Sequence, residues 1–242
     1  MDSAIPPHPR PSFNLSCSLS HPYSPTSRSR EWFSLLYRHV SRPSCGLFTC
    51  PTGDSHTLQI DPSSYANPDH LSYFKFIGRV VGMAIFHQCF FGAFFVPGFY
   101  KAALRENATV TDLKDIDEAF CKGLTWILFV LPFFCNPCAD SSQSSSENDI
   151  TNILDETFSA TEDRFGEFIT VDFKPGGSEI PVTEKNKREF VDLVAHYRII
   201  GRVEEQFSAF IDGFFEVIPR TLLTEFYERE MEDFFRGRTP PE

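Results

Sequence analysis

Asn67-Pro68-Asp69-His70-Leu71-Ser72-Tyr73-Phe74-Lys75-Phe76-Ile77-Gly78-Arg79-Val80-Val81-Gly82 is the stretch that decides how this chain folds. It opens on a helix-start signature: Asn67 as N-cap, Pro68 at the first helical position, Asp69 complementing the dipole. The pattern runs to about His87. Phe74, Phe76, Ile77, Val80, Val81, Met83, Ile85 and Phe86 leave it apolar nearly all round. A helix hydrophobic on every side is a buried one, so it is read as the centre of a core. Gly78 and Gly82, one turn apart, give it a smooth strip for a close neighbour. With Lys75 and Arg79 alongside, that strip suits packing in a water-soluble core rather than pairing inside a membrane.

Working outward, Glu31–Val40 reads as an amphipathic helix. Gly46–Cys50 and His56–Ile60 read as a hairpin around the turn cluster Pro51-Thr52-Gly53-Asp54. Downstream, helices are expected at about 96–105 and 116–128. Glu167–Phe173 alternates as a strand, with Gly176-Gly177 as its turn and Glu179–Val182 as its partner. Thr183 is expected to cap a helix of about 185–200, and further helices follow at 203–215 and 221–235. Helices with two small hairpins make the class α+β, the strands segregated from the helices.

The chain of 242 residues carries 33 acidic and 22 basic side chains, a net charge of −11. That balance argues against a nucleic-acid partner, whose phosphates call for a basic stripe. No run of about 18 apolar residues occurs, so no membrane span is expected. The N-terminus has no signal-peptide character. Seven Cys without framework spacing suit a reducing compartment, hence a cytoplasmic protein. Two stretches differ in character. Residues 1–28 hold seven Ser and six Pro and read as disordered. Phe129–Ser146 (FVLPFFCNPCADSSQSSS) is an apolar knot followed by a Ser tract.

The residues alone show no active site. Cys135-x-x-Cys138 lacks the second ligand pair that a structural zinc needs, and Cys45, Cys50 and His56 have no metal spacing. Cys89 and Cys121 sit in apolar surroundings and read as inert thiols. No phosphate loop, HExxH or GxSxG is present. No metal and no cofactor are expected. Phe120, Leu124 and Ile127 share one helix face, Phe190 and Val194 share another, and Leu154 starts a strand region. By spacing alone these faces pack on each other as core.

Ser29-Arg-Glu-Trp-Phe-Ser-Leu-Leu36, His56-Thr-Leu-Gln-Ile-Asp-Pro62, Asn67–Gly82 and Ala93-Phe-Phe-Val-Pro-Gly-Phe-Tyr-Lys101 follow one another along the chain. Asp163–Asp172, Lys174–Ile180 and Gln206–Pro219 continue the series. In order and spacing these motifs resemble the HECT-type ubiquitin-protein ligases of the WW-domain-bearing branch. The resemblance implies a partial HECT domain over 29–242: a mostly helical N-lobe, with a large helical subdomain and a small hairpin-containing subdomain at about 119–194. In that family the small subdomain docks a ubiquitin-charged conjugating enzyme, and a Cys on the C-lobe then accepts ubiquitin as a thioester. The only Thr-Cys here, Thr49-Cys50, aligns with the N-lobe hairpin. The chain as given is therefore expected to lack the catalytic Cys and to be inactive alone.

Carried over position by position, the conjugating-enzyme groove falls on Phe120, Leu124, Ile127, Leu154, Phe190 and Val194. Val194 replaces a Tyr common in relatives. The family's non-covalent ubiquitin exosite falls on Phe165, Cys45 and Cys50. With Cys at both aromatic platform positions, ubiquitin binding there is expected to be weak or lost. Protein substrates would be chosen by domains not present. A second reading is a truncated, non-catalytic paralogue that binds conjugating enzyme without ligase activity.

The resemblance also implies that Phe129–Ser146 is an insert, since the family runs directly from the match of Gly123–Leu128 into that of Glu147–Asn152. We read it as an in-frame retained intron, and residues 1–28 as upstream non-coding sequence. Transcript sequencing is expected to yield messages lacking the insert; cDNA that always encodes it would overturn this reading.

Overall fold

The computed structural model describes residues 27–51, 57–87, 89, 94–129, 155–164, 166–221 and 232–233. Helix α1 spans Ser27–Val40, strands β1 and β2 are Phe48–Thr49 and Thr57–Ile60, and helix α2 is His70–Phe86. Strand β3 (Phe94–Phe95) leads into α3 (Pro97–Ala103), and α4 follows at Glu118–Phe129. Strands β4 (Ser159–Arg164) and β5 (Glu167–Asp172) precede α5 (Lys187–Ile199) and α6 (Glu204–Phe215). Short 3-10 turns at Pro43–Cys45, Pro62–Ala66, Val110–Asp115, Gly177–Glu179 and Gly201–Val203 fill the joints. The architecture is α+β: helices with a three-stranded sheet, β1-β2-β3, and a separate two-stranded hairpin, β4-β5. Among the described residues no helix is long and apolar enough to cross a membrane.

Helix α2 is the central helix that its sequence predicts, and its neighbour is α6. An added Cβ at Gly78 would overlap the Phe210 carbonyl, and one at Gly213 would overlap the Lys75 carbonyl. Glycine on both helices therefore lets the two backbones meet directly. Phe74, Ile77, Val80 and Val81 of α2 and Phe210, Ile211 and Phe214 of α6 share one core with Phe48, Leu58, Ile60, Phe95, Phe99 and Tyr100. Phe95 stacks on Phe99 at 4.2 Å between ring centres, and Phe210 meets both rings edge-on. The buried Gln206 amide donates to Ser64 Oγ at 3.2 Å, pinning α6 to the Pro62–Ala66 turn. At the far end Glu216 pairs with Lys75 at 2.8 Å and with Arg79. Hydrogen bonds from Arg79 and Lys75 hold the Glu216 carboxyl down at about 2.

Several details differ from the sequence expectations. Helix α1 begins at Ser27 and not at Glu31, so residues 27–28 of the segment read as disordered are helical, and β3 adds a parallel third strand to the expected hairpin. Helix α2 begins at His70, because Asn67 closes the preceding 3-10 turn instead of capping the helix. Its Oδ1 accepts the Asp69 N–H and its carbonyl accepts the His70 N–H. Nor is α2 buried all round: Tyr73, Phe76 and Phe86 are exposed. Strand β5 pairs with Ser159–Arg164, antiparallel, and not with Glu179–Val182. The turn lies at Gly166, which takes φ +88° and donates its N–H to Asp163 Oδ1. Gly177 instead serves contact, since a Cβ there would overlap the Phe158 carbonyl. Finally, α5 starts at Lys187 after Asn186, whose Oδ1 accepts the Thr183 N–H. The segments 1–26 and 130–154 and most of the expected 221–235 helix lie outside the described residues.

The helix contact yields a paired test. Gly213→Ala is expected to destabilise the fold at or above the upper end of the ~1–3 kcal/mol typical of overpacking. On α4, a Cβ at Gly123 meets nothing within 4 Å, so Gly123→Ala is expected to stabilise by roughly 0.5–1 kcal/mol. Chemical denaturation of the two variants measures both; equal effects would refute the glycine-mediated contact.

Candidate docking site

A second core lies beside the first and carries the predicted site positions. It gathers Leu113, Leu124, Phe158, Val182, Phe190, Val191, Val194, Ala195 and Ile199. The loop before α4 is locked by local chemistry. Thr109 and Asp112 form a reciprocal capping box at the Val110–Asp115 turn. Lys101 Nζ reaches both Asp112 oxygens, at 2.7 and 2.9 Å, tying that turn to α3. Asp117 Oδ1 then accepts the Phe120 N–H at 2.9 Å and caps α4. These bonds fix where α4 starts and which of its faces meets α5.

Five of the six groove positions come together here. Leu124 of α4 and Phe190 and Val194 of α5 are buried inside this core, and Phe120 and Ile127 are half-buried at its margin. Phe190 meets Phe158 edge-on at 5.4 Å, and Lys174 Nζ sits 3.7 Å from the centre of the Phe158 ring. Arg198 of α5 lays its guanidinium 4.3 Å over the Phe120 ring. Leu154 lies outside the described residues. The faces found by spacing therefore do pack on one another, and Phe120 and Ile127 remain within reach of solvent.

Two features of this surface escaped the sequence reading. Trp126 on α4 is 43% exposed, and Gly123, one turn before it, leaves open space. Phe120 and Trp126 lie three residues to either side of Gly123, and Ile127 lies four beyond it, so aromatic and apolar residues flank the open position along the helix. The signal that could have found it was the missing side chain at Gly123 on an otherwise bulky helix.

Of the exosite positions, Phe165 lies outside the described residues. Cys45 and Cys50 flank β1 and are half-buried, with the Cys45 thiol donating to the His39 carbonyl at 3.0 Å. Burial pushes the Cys89 thiol up, and the Cys121 thiol donates to the Val110 carbonyl at 3.2 Å. Arg164, next to Phe165, reaches across to Tyr65 at 5.8 Å from its ring centre. Phe168 of β5 is 77% exposed. Among the described residues no group of three or more His, Cys, Asp or Glu gathers into a metal-binding cluster; Cys135 and Cys138 lie outside them.

Residues 34–241 match the model of the HECT-domain (ubiquitin-transferase) family. The chain belongs to the HECT-domain family. It is 48% identical over 209 residues to the E3 ubiquitin-protein ligase pub1 of Schizosaccharomyces pombe, covering 86% of this chain and 25% of that protein. It is 47% identical to the E3 ubiquitin-protein ligase RSP5 of Emericella nidulans, covering 86% of this chain and 23% of that relative. A probable E3 ubiquitin-protein ligase, hulA of Aspergillus fumigatus, is likewise 47% identical, with 86% and 24% covered. The chain spans about a quarter of the length of these curated relatives. The family match runs across both cores, so the surface around α4 and α5 belongs to the HECT domain.

Proposed function

We propose that this HECT chain performs the recruitment step of ubiquitin transfer: its second core forms the small subdomain that docks a ubiquitin-charged conjugating enzyme. The observation that carries the reading is the meeting of α4 and α5. Phe120, Leu124, Ile127, Phe190 and Val194 converge there, with Phe120, Ile127 and the exposed Trp126 at the surface. Transient interfaces rest on a few aromatic anchors within a polar rim. Leu124, Phe190 and Val194 serve it from beneath, holding the anchors in place.

In the full-length ligase the chemistry would be transthiolation followed by aminolysis. A cysteine thiolate attacks the ubiquitin thioester carbonyl; a new carbon–sulfur bond forms and the conjugating enzyme's cysteine leaves as thiolate. A substrate lysine amine then displaces the second thiolate and gains the carbonyl as an isopeptide. Such an acceptor needs a lowered pKa and access. Among the described cysteines, Cys89 is buried with its thiol raised, the Cys45 and Cys121 thiols are engaged by backbone carbonyls, and Cys50 is half-buried. These features favour the non-catalytic reading for this chain on its own: it binds conjugating enzyme without forming the thioester. Substrates would be selected by other parts of a full-length ligase, and ubiquitin contact through the Cys45 and Cys50 face would be weak.

Two measurements test this. Phe120→Ala and Trp126→Ala are expected to weaken binding of a conjugating enzyme roughly tenfold or more. Trp126→Ala should do so with little change in melting temperature, because the side chain belongs to neither core. Unaltered affinity in both variants would sink the docking assignment. In a charging assay with activating enzyme, conjugating enzyme and ubiquitin, no thiol-reducible ubiquitin adduct is expected on this chain; its appearance would refute the non-catalytic reading.

A further inference from the structure

Around the second core Arg202 pairs with Glu162 at 2.6 Å, Lys101 with Asp112 at 2.7 Å and Lys174 with Glu189 at 2.9 Å, whereas Arg198 of α5 lies over an aromatic ring. Arg198 has no hydrogen-bond or ion-pair partner among the described residues, and its one specific contact is the Phe120 ring. Asp117, whose charge acts favourably on it, has Oδ1 committed to the Phe120 N–H at the cap of α4. Glu162 is held by Arg202 and Arg164.

A guanidinium offers five N–H donors in a planar fork. Stacking on an aromatic face uses the plane of that fork and leaves its edge free. Arg198 is half-buried, and burial lowers its pKa, with the charge of Arg202 acting the same way. A partly desolvated cation with unused donors gains more from an incoming acceptor than a fully hydrated one does. The fork lies against Phe120, the aromatic anchor of the docking face, so whatever seats on that anchor meets it.

We propose that Arg198 is a specificity-determining residue of the docking site, binding a carboxylate of the conjugating enzyme beside the Phe120 anchor. This deepens the docking assignment above and rests on it. The site then favours conjugating enzymes that place an Asp or Glu opposite Arg198. It discriminates against those that place Lys or Arg there, because two cations would face each other. The contact with the Phe120 ring holds the guanidinium in place before the partner arrives, so less side-chain freedom is lost on docking.

The test compares the chain with its Arg198→Gln, Arg198→Lys and Phe120→Ala variants. Binding to a panel of purified conjugating enzymes is measured at low and high salt. Arg198→Gln is expected to weaken binding to the preferred enzymes roughly tenfold and to flatten the salt dependence. Arg198→Lys keeps the charge and loses the fork, so it should retain the salt dependence and recover part of the affinity. Changing the facing acidic residue of the partner to its amide should erase the difference in affinity between the unaltered chain and its Arg198→Gln variant. A purely structural Arg198 would move stability without moving the salt slope. If Arg198→Gln leaves affinity and slope unchanged while Phe120→Ala abolishes binding, this proposal fails and the docking assignment stands. If Phe120→Ala also has no effect, both fall. Should Arg198→Gln fail to fold, the Arg198→Lys slope and the partner's amide variant decide the question.

Discussion

Everything in the larger core depends on how closely α2 and α6 approach. Gly78 of α2 faces the Phe210 carbonyl, and Gly213 of α6 faces the Lys75 carbonyl, each leaving no room for a methyl group. Close backbone contact brings the side chains on either side of the glycine strip into one layer. There Phe210 meets Phe95 and Phe99, and Phe74 meets Phe48. The small sheet is thereby packed onto the helix pair, since Phe48, Leu58 and Phe95 each belong to one of its three strands. The Glu216 pairs with Lys75 and Arg79 close the contact at its solvent end and fix the register.

The second core is built by a different means. Here the joints are polar: a capping box at Thr109 and Asp112, the Lys101–Asp112 pair, and the Asp117 cap of α4. Such short local bonds set the direction of α4. The apolar side chains then close over Leu113, Phe158 and Val191. Phe207 and Ile116 pack against both cores and join them. The arrangement leaves α4 with one face buried and one in water.

Legibility in the sequence followed the nature of the signal. The long apolar run of α2 and its paired glycines were readable, because burial and close packing leave a strong periodic trace. The β4 strand was not. Ser159-Ala-Thr-Glu-Asp-Arg164 has no apolar alternation, and its pairing with β5 is set by a Gly166 turn and an Asp163 side-chain bond. Asn67 misled for a similar reason: its side chain can cap a helix or close a turn, and the preceding Pro62–Ala66 turn claimed it. The groove positions were legible as two apolar faces. Which members reach the surface was not, because burial depends on what lies across the interface. Trp126 and Phe120 stay accessible while Leu124 does not, although all three share α4.

By itself the sequence determined the α+β class, the central helix with its glycine strip, the family and the two apolar faces that meet in the second core. These are local or periodic properties, written in residue type and spacing. Only the tertiary structure decided that α6 is the partner of that strip, that β4 pairs with β5, and that Arg198 lies across Phe120. Those are meetings that depend on how separate elements come together. They follow from the shape of the closed core, which a linear pattern of side chains does not carry.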